Sequence, residues 1–213
     1  AGGARSGAGV SGSFPSAQAS GKAGAPPPLV FRLDDKSAVS FSGIIDRVDV
    51  YKKENNVYIR VVDYKTGTKK FNISDIDKGI NTQMLLYLFT LCRTNSAEFK
   101  RSVGIDEGGN AIPSGVIYFS TNIPAVEADD YNDESTVLKK AASKLERSGL
   151  LLCEDDVLLA MNNELDSSFL AGIKKSAKDD TYSGSAVASS ETFAELYDKL
   201  EGVICKIAAE LRS

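Results

Sequence analysis

β-Branched and aromatic residues give the first part of the chain a strand-like pattern. They are dense in segments 29–33 and 38–51, and again in 57–64 after a polar turn at 52–56. We therefore expect a β-meander whose last two strands pair as a hairpin.

The second part of the chain predicts helices around one further strand. Ser74 or Asp75 can cap a helix whose apolar residues, spaced three and four apart, reach Leu91. The apolar run 115–120 indicates a buried strand, bounded by Pro113 and Pro124. Later patterns predict a helix at 134–147 ended by Gly149, a short helix at 155–162, a polar loop or hairpin at 167–190, and a long helix at 191–212 capped by Ser189–Ser190. Strands and helices in this order indicate a mixed α/β fold.

Residues 1–28 differ in composition from the rest of the chain. They are nearly all Gly, Ala, Ser and Pro, which cannot bury enough apolar area to form a core. We expect a flexible linker there, followed by one domain at 29–213 that belongs to a longer chain. No apolar run approaches the ~20 residues of a membrane helix, so no membrane partner is expected.

Residue composition removes several classes of mechanism. The 213 residues include no histidine, which excludes Ser-His, Cys-His and His-metal chemistry. The three cysteines, Cys92, Cys153 and Cys205, are far apart and predict neither a disulfide framework nor a CxxC metal site. A cytoplasmic setting fits best. The net charge of −4 argues against binding nucleic acid by bulk charge, so any such contact needs a local patch or a partner. Catalysis would have to use carboxylates, lysine and a bound metal.

Asp63 and Lys65 finish an otherwise apolar strand and share one of its faces, because they are two residues apart. Asp46 lies on the neighbouring strand, where we expect it to point inward with Ile44 and Val48. Asp46 and Asp63 would then converge on one ion, and their oxygens suit Mg²⁺ or Mn²⁺. The alternative is a buried Asp–Lys ion pair without a catalytic role, and the spacing does not choose between them.

Gln83 and Tyr87 are four residues apart and so lie on one face of the predicted helix. Gly79 comes one turn earlier, where it would let this face approach the strands closely. The two polar side chains would contact the lysine or a substrate, or alternatively form ordinary hydrogen bonds to the backbone.

Three spaced motifs resemble one enzyme family. They are Gly-x-x-Asp-Arg-x-Asp at 43–49, Asp-Tyr-Lys-Thr-Gly at 63–67 and Gly-x-x-x-Gln-x-x-x-Tyr at 79–87. Together they resemble the RecB-family nucleases of the PD-(D/E)XK superfamily, most of all the nuclease domains of AddB-type subunits of bacterial helicase–nucleases. The resemblance covers 29–213 and implies a restriction-endonuclease-like core, in which helices flank a central mixed β-sheet.

The resemblance also implies a role for each matching residue in a Mg²⁺- or Mn²⁺-dependent exodeoxyribonuclease. Asp46, Asp63 and the backbone carbonyl of Tyr64 would bind the metal, and Lys65 would position water and stabilise charge. Gln83 and Tyr87 would support this site or bind the DNA strand. Arg47 and Asp49 match the first motif, but we expect them to have structural roles. Lys69 and Lys70 would meet phosphate or form solvated surface.

The family implies partners beyond this chain. These are DNA, whose double-strand ends would be processed for recombinational repair, and an AddA-like helicase subunit. An iron–sulfur cluster is implied for the full-length parent but not for this fragment. Such nucleases usually carry an acidic residue on a helix before these strands, whereas the only upstream acids here are Asp34 and Asp35, in a predicted turn. A nuclease-like module that attaches to DNA or a partner subunit without cleavage therefore stays open, as does a nuclease of this superfamily from a phage or defence system.

Overall fold

The computed structural model describes residues 28–33, 37–67, 69–122, 147–162, 165, 170–179 and 181–212. Residues 1–27 of the predicted linker, Asp34 and Asp35, and nearly all of the predicted helix at 134–147 lie outside these residues. In chain order the described elements are β1 (Leu29–Arg32), β2 (Ala38–Phe41), β3 (Arg47–Lys53), β4 (Asn56–Lys65), a 3-10 helix (Ile73–Lys78), α1 (Gln83–Arg93), α2 (Ala97–Ser102), β5 (Asn110–Ser120), β6 (Arg147–Leu152), α3 (Asp155–Met161), β7 (Lys174–Lys175), β8 (Tyr182–Ser183), β9 (Val187–Ala188) and α4 (Ser190–Glu210).

A five-stranded mixed sheet in the order β3-β4-β5-β6-β9 forms the centre of the fold. β3 pairs antiparallel with β4, β4 parallel with β5, β5 antiparallel with β6, and β6 parallel with β9. Helices flank this sheet, so the predicted α/β core with a central mixed sheet is confirmed. The predicted meander is wrong in one respect, since β1 and β2 form a separate hairpin. The chain leaves extended pairing at 42–46, where Ser42 and Gly43 interrupt the β-branched pattern.

The strand β4 is buried on both faces, because helices cover one side of the sheet and a smaller cluster covers the other. Val61 packs with residues of α1 and α4 in the main core. Val62 faces the opposite way and packs with Ile117, Leu151 and Leu158. A parallel strand covered on both faces requires the near-continuous apolar run that 57–62 supplies. Each such side chain contributes about 1.5–3 kcal/mol on burial.

The single helix predicted from Ser74 to Leu91 is two elements. Asn72 caps the 3-10 helix by accepting a hydrogen bond from Ser74 N, so the expected caps at Ser74 or Asp75 are wrong. Gly79, with φ of 69°, ends that helix, and Asn81 also has a left-handed backbone, with φ of 59°. Residues with a left-handed backbone do not continue a right-handed helix. The α-helix α1 is therefore a separate element that begins at Gln83.

Two glycines have different partners from those expected. A Cβ on Gly79 would lie 3.1 Å from Ile207 Cδ1, so Gly79 allows close approach to α4 and does not lie on the α1 face. Gly149 lies within β6 and does not end a helix; a Cβ there would lie 2.0 Å from the Val116 carbonyl oxygen of β5. The absence of a side chain at Gly149 allows these two strands to approach each other.

We expected Pro113 to mark the start of this strand. It lies inside β5 instead. The register with β4 shifts between Ile59 and Arg60, which pair with Pro113 and Gly115, so Ser114 is an extra residue. Such a bulge tolerates the missing N–H of proline.

From residue 155 onward, the predictions that fall on described residues are confirmed. Helix α3 occupies nearly the predicted range, a β7–β8 hairpin lies in the polar segment, and Ser189 caps α4 by accepting a hydrogen bond from Thr192 N at 3.3 Å. Among the helices that the structure describes, none is both long enough and apolar enough to cross a membrane.

Candidate active site

The two residues predicted to bind metal through their carboxylates both lie at the end of the sheet where β4 ends. Arg47 pairs with Val62 in the last step of the β3–β4 ladder, and Asp46 and Asp63 are the next residues beyond this step on the two strands. The amide N–H of Tyr64 donates to Asp46 Oδ2 at 3.0 Å, which fixes the Asp46 carboxylate beside the backbone that follows Asp63. The hairpin predicted from sequence therefore brings these two residues together.

The expected inward orientation of Asp46 is wrong. Asp46 is exposed and Ile44 is 88% exposed, whereas Val48 packs against the core as expected. The backbone bends at Asp46, just before β3 begins, so the alternation of strand side chains does not extend back to Ile44.

Asp63 is 7% exposed, and its Oδ2 lies 2.5 Å from Lys65 Nζ. The ion pair that the shared strand face allowed is therefore present. Oδ2 is nonetheless without an aligned hydrogen-bond donor among the residues that the structure describes. A buried carboxylate without a hydrogen-bond donor has lone pairs available for a cation. Without a metal ion, the ammonium of Lys65 compensates the charge of Asp63.

The Tyr64 carbonyl is directed to the same edge as Asp46. Thr121 N–H donates to the Lys65 carbonyl at 2.8 Å, so the amide and carbonyl of Lys65 face β5. Successive residues of a strand turn these groups toward opposite neighbours, so those of Tyr64 face the β3 side. The hydrogen bond from Tyr64 N–H to Asp46 agrees with this orientation.

These oxygens fit a hard divalent cation. Two carboxylates and one carbonyl are typical ligands of Mg²⁺ and Mn²⁺, and Mg²⁺ commonly keeps water and takes substrate phosphate at its other positions. Within the described parts of the chain, no group of three or more His, Cys, Asp or Glu side chains converges. Water or phosphate would therefore have to complete the coordination.

Gln83 and Tyr87 contact each other and the segment before Asp46. Gln83 Nε2 donates to Tyr87 Oη at 2.9 Å, so the pair does not use the backbone partners that were the alternative expectation. A Cβ on Gly43 would lie 2.4 Å from Tyr87 Oη, which shows how closely the ring lies on this glycine. The close approach assigned to Gly79 therefore belongs to Gly43, whose signal was its place at the start of the first motif.

Arg47 and Asp49 belong to a structural network, as expected. Asp49 accepts hydrogen bonds from Arg47 Nε and from Arg60 Nη2, each at 2.7 Å. Arg60 is 6% exposed, and burial lowers its pKa while Asp49 opposes that shift. Sequence reasoning missed Arg60, although a single charged residue within the apolar strand 57–62 was a usable signal. A hydrogen bond to the Tyr64 hydroxyl, at 3.2 Å, is the largest cause of the raised pKa of Arg47.

Tyr118 is a second residue that sequence reasoning missed. It pairs with Asp63 in the β4–β5 register and is 2% exposed. Its hydroxyl has no hydrogen-bond partner among the described residues. Burial, followed by the charge of Asp63, raises the pKa of Tyr118 to about 12, so the hydroxyl stays protonated.

Lys69 Nζ lies 4.8 Å from the centre of the Tyr118 ring, and Lys70 is exposed, so the structure gives neither lysine a contact that identifies a phosphate site.

The three cysteines are free thiols. Burial raises the pKa of Cys92, and burial followed by the charge of Asp155 raises that of Cys153. A raised pKa lowers the thiolate fraction and therefore the reactivity of these two groups.

Comparison with known proteins agrees with the motif resemblance. The model of the PD-(D/E)XK nuclease superfamily matches residues 14–212. The B subunit of the ATP-dependent helicase/deoxyribonuclease of Clostridium acetobutylicum is 31% identical over 183 residues, which are 86% of this chain and 15% of that protein. The corresponding protein of Bacillus anthracis is 33% identical over 178 residues, covering 81% of this chain and 14% of that protein. That of Acetivibrio thermocellus is 33% identical over 148 residues, 70% of this chain and 12% of the relative.

The chain thus spans 12% to 15% of the length of these relatives. The match to the superfamily model covers nearly the whole sequence, and the mixed sheet with its Asp46–Asp63–Lys65 edge agrees with it. We conclude that this chain belongs to the PD-(D/E)XK nuclease superfamily.

Proposed function

We propose that the chain is a metal-dependent deoxyribonuclease domain that hydrolyses phosphodiester bonds with water. The observation that carries this proposal is the edge of β4, where Tyr64 N–H, between Asp63 and Lys65 in the chain, donates to Asp46, and where Asp63 and Lys65 form a half-buried ion pair. Membership in a nuclease superfamily supports the same chemistry.

Asp46, Asp63 and the Tyr64 carbonyl would hold Mg²⁺ or Mn²⁺. When bound, the metal supplies Lewis-acid activation of water and neutralises phosphate charge. Lys65 is half-exposed at the end of the strand, with its ammonium 2.5 Å from Asp63. From this position the ammonium would donate a hydrogen bond to the attacking water or to a phosphate oxygen, where negative charge develops. Asp63 orients the ammonium for this task.

The proposal extends to the longer protein. Relatives that match over most of this chain are the B subunits of ATP-dependent helicase/deoxyribonucleases. We propose that the parent of this chain acts as an exonuclease on double-strand ends, with an AddA-like helicase subunit as partner, in recombinational repair. The sequence carries no motif for binding nucleotide phosphates, which supports assigning the unwinding of DNA to another part of such a complex.

One observation favours a second function, a nuclease-like module that attaches to DNA or a partner subunit without cleavage. Where the structure describes the chain, no third acidic side chain joins Asp46 and Asp63. Such a module would keep the Asp63–Lys65 pair for stability alone.

Metal binding and DNA cleavage separate the two functions. Asp63→Ala and Asp46→Ala should each lower Mn²⁺ affinity in a calorimetric titration and abolish Mn²⁺-dependent cleavage of end-labelled single-stranded DNA. Asp106→Ala is the matched control, because Asp106 is exposed and pairs with Lys52. Mn²⁺ affinity unchanged by Asp63→Ala would contradict the metal assignment, and metal binding without cleavage would favour the binding module.

A further inference from the structure

A pocket opens beside the carboxylate edge, between segment 41–45 and the first turns of α1. Its volume is about 230 Å³. The walls include Phe41, Ile45 and Leu86, and the polar groups include Ser42, Gln83 and Tyr87. None of Asp46, Asp63 and Lys65 lines this pocket.

The lining of the pocket is uncharged. Every residue that forms it is apolar, aromatic, glycine, hydroxyl-bearing or an amide. A phosphate or a cation would lose its hydration there without gaining a charged partner, which is costly. The pocket therefore suits a neutral group that has flat apolar faces and a few polar atoms.

The Gln83–Tyr87 pair supplies both kinds of hydrogen-bonding group. Gln83 uses one amide N–H to donate to Tyr87 Oη. The amide retains its carbonyl acceptor and a second N–H, and Tyr87 retains its hydroxyl proton. A donor and an acceptor side by side match the edge of a nucleobase, and Tyr87 and Phe41 provide aromatic surface for its faces.

The pocket adjoins the carboxylate edge along the chain. Ile45 lines it and directly precedes Asp46 in the chain. If a DNA phosphate binds at Asp46 and Asp63, the base of the adjoining nucleotide would lie near this pocket.

Given the proposed nuclease function, we propose that this pocket takes one nucleobase of the strand whose phosphate lies at the carboxylate edge. A base can enter such a pocket only when it is unpaired.

Position-resolved cleavage tests this pocket. Single-stranded oligonucleotides, intact or with one abasic nucleotide, are cleaved in Mn²⁺ under single-turnover conditions, and the rate is measured at every bond. Base stacking contributes about 1–3 kcal/mol, so cleavage at one bond beside the abasic site should fall at least about fivefold. Ser42→Phe, which adds a ring at an exposed residue of the pocket lining, should lower cleavage of intact DNA and remove this difference.

The matched control is Ile44→Phe on the same segment, because Ile44 is 88% exposed and does not line the pocket. It should keep the difference between intact and abasic DNA. Equal cleavage of both DNAs by the wild-type chain, or a difference that survives Ser42→Phe, would overturn the proposal.

A second measurement does not need cleavage and so separates this proposal from the nuclease function. Photocrosslinking of single-stranded DNA containing 5-iododeoxyuridine should attach the base to Phe41 or Tyr87, as mapped by mass spectrometry. The crosslink should be lost in Ser42→Phe and kept in Ile44→Phe. Crosslinks at other residues alone would refute the base pocket, even if the chain cleaves DNA.

Discussion

Substituting the two aspartates of the first motif should have different effects, one on stability and the other on cleavage. Asp46 is exposed at the edge of β4, whereas the Asp49 side chain is 16% exposed and pairs with the buried Arg60. We expect Asp49→Ala to destabilise the fold strongly, because it leaves the Arg60 guanidinium buried without its counter-charge. Asp46→Ala should leave the free energy of unfolding nearly unchanged while it abolishes cleavage.

The contacts of Arg60 give the size of the effect. Its Nε and Nη2 donate to Asp49 Oδ2 at 3.0 and 2.7 Å, and its side chain is 7% exposed. Breaking a buried ion pair from one side costs about 3–5 kcal/mol. Neutral acceptors remain, since Nη1 donates to Asn162 Oδ1 at 2.8 Å and Nη2 to the Met161 carbonyl at 3.1 Å. We therefore expect about 3 kcal/mol, a large share of the roughly 5–15 kcal/mol that stabilises a typical domain.

Urea unfolding followed by circular dichroism in EDTA measures this difference without any metal. Asp49→Asn, which keeps one acceptor, should lie between the wild type and Asp49→Ala. The double variant Asp49→Ala/Arg60→Met should recover much of the loss, because it removes the unpaired cation. A change below about 1 kcal/mol for Asp49→Ala, or no recovery in the double variant, would refute this account of the network.

Four further substitutions test the packing of the fold. Gly43→Ala should displace the Tyr87 ring, lower the unfolding free energy by about 1 kcal/mol and slow cleavage; an unchanged melting curve and rate would contradict this. Tyr118→Phe should raise the unfolding free energy by up to about 1 kcal/mol, because it removes a buried hydroxyl without a partner among the described residues. A clear loss in urea would show that this hydroxyl is bonded. Gly149→Ala should cost at least about 2 kcal/mol through its clash with β5, whereas Gly202→Ala, in open space on α4, should gain about 0.5–1 kcal/mol by the same assay.

The placement of Asp46 beside the end of β4 could be predicted because it depends on local signals. The polar residues at 52–56 predicted a hairpin, whose turn is at 54–55 and whose register ends at Arg47–Val62, next to Asp46 and Asp63. The direction of the Asp46 side chain could not be predicted. It depends on a backbone bend that the hydrogen bond from Tyr64 N–H accompanies.

The errors came from residues whose conformation depends on distant partners. Gly149 has the sequence signature of a helix end, but its function is close contact with β5. Asn81 gives no sequence signal for a helix break, yet its side chain donates to Asp75 Oδ2 at 2.8 Å while its backbone is left-handed. Tyr118 looked like an ordinary core residue of a buried strand. Only its register with Asp63 makes it part of the site.

The central claim is that Lys65 acts with Asp46 and Asp63 in metal-dependent hydrolysis of DNA. The most direct measurement is cleavage of labelled single-stranded DNA in Mg²⁺, Mn²⁺ or EDTA by the wild-type chain, Lys65→Ala and Lys52→Ala. Lys52 is the control, since it pairs with the exposed Asp106 near the turn end of β3. The account predicts cleavage in both metals, none in EDTA, loss in Lys65→Ala and full activity in Lys52→Ala. Cleavage that persists in EDTA or in Lys65→Ala would contradict it.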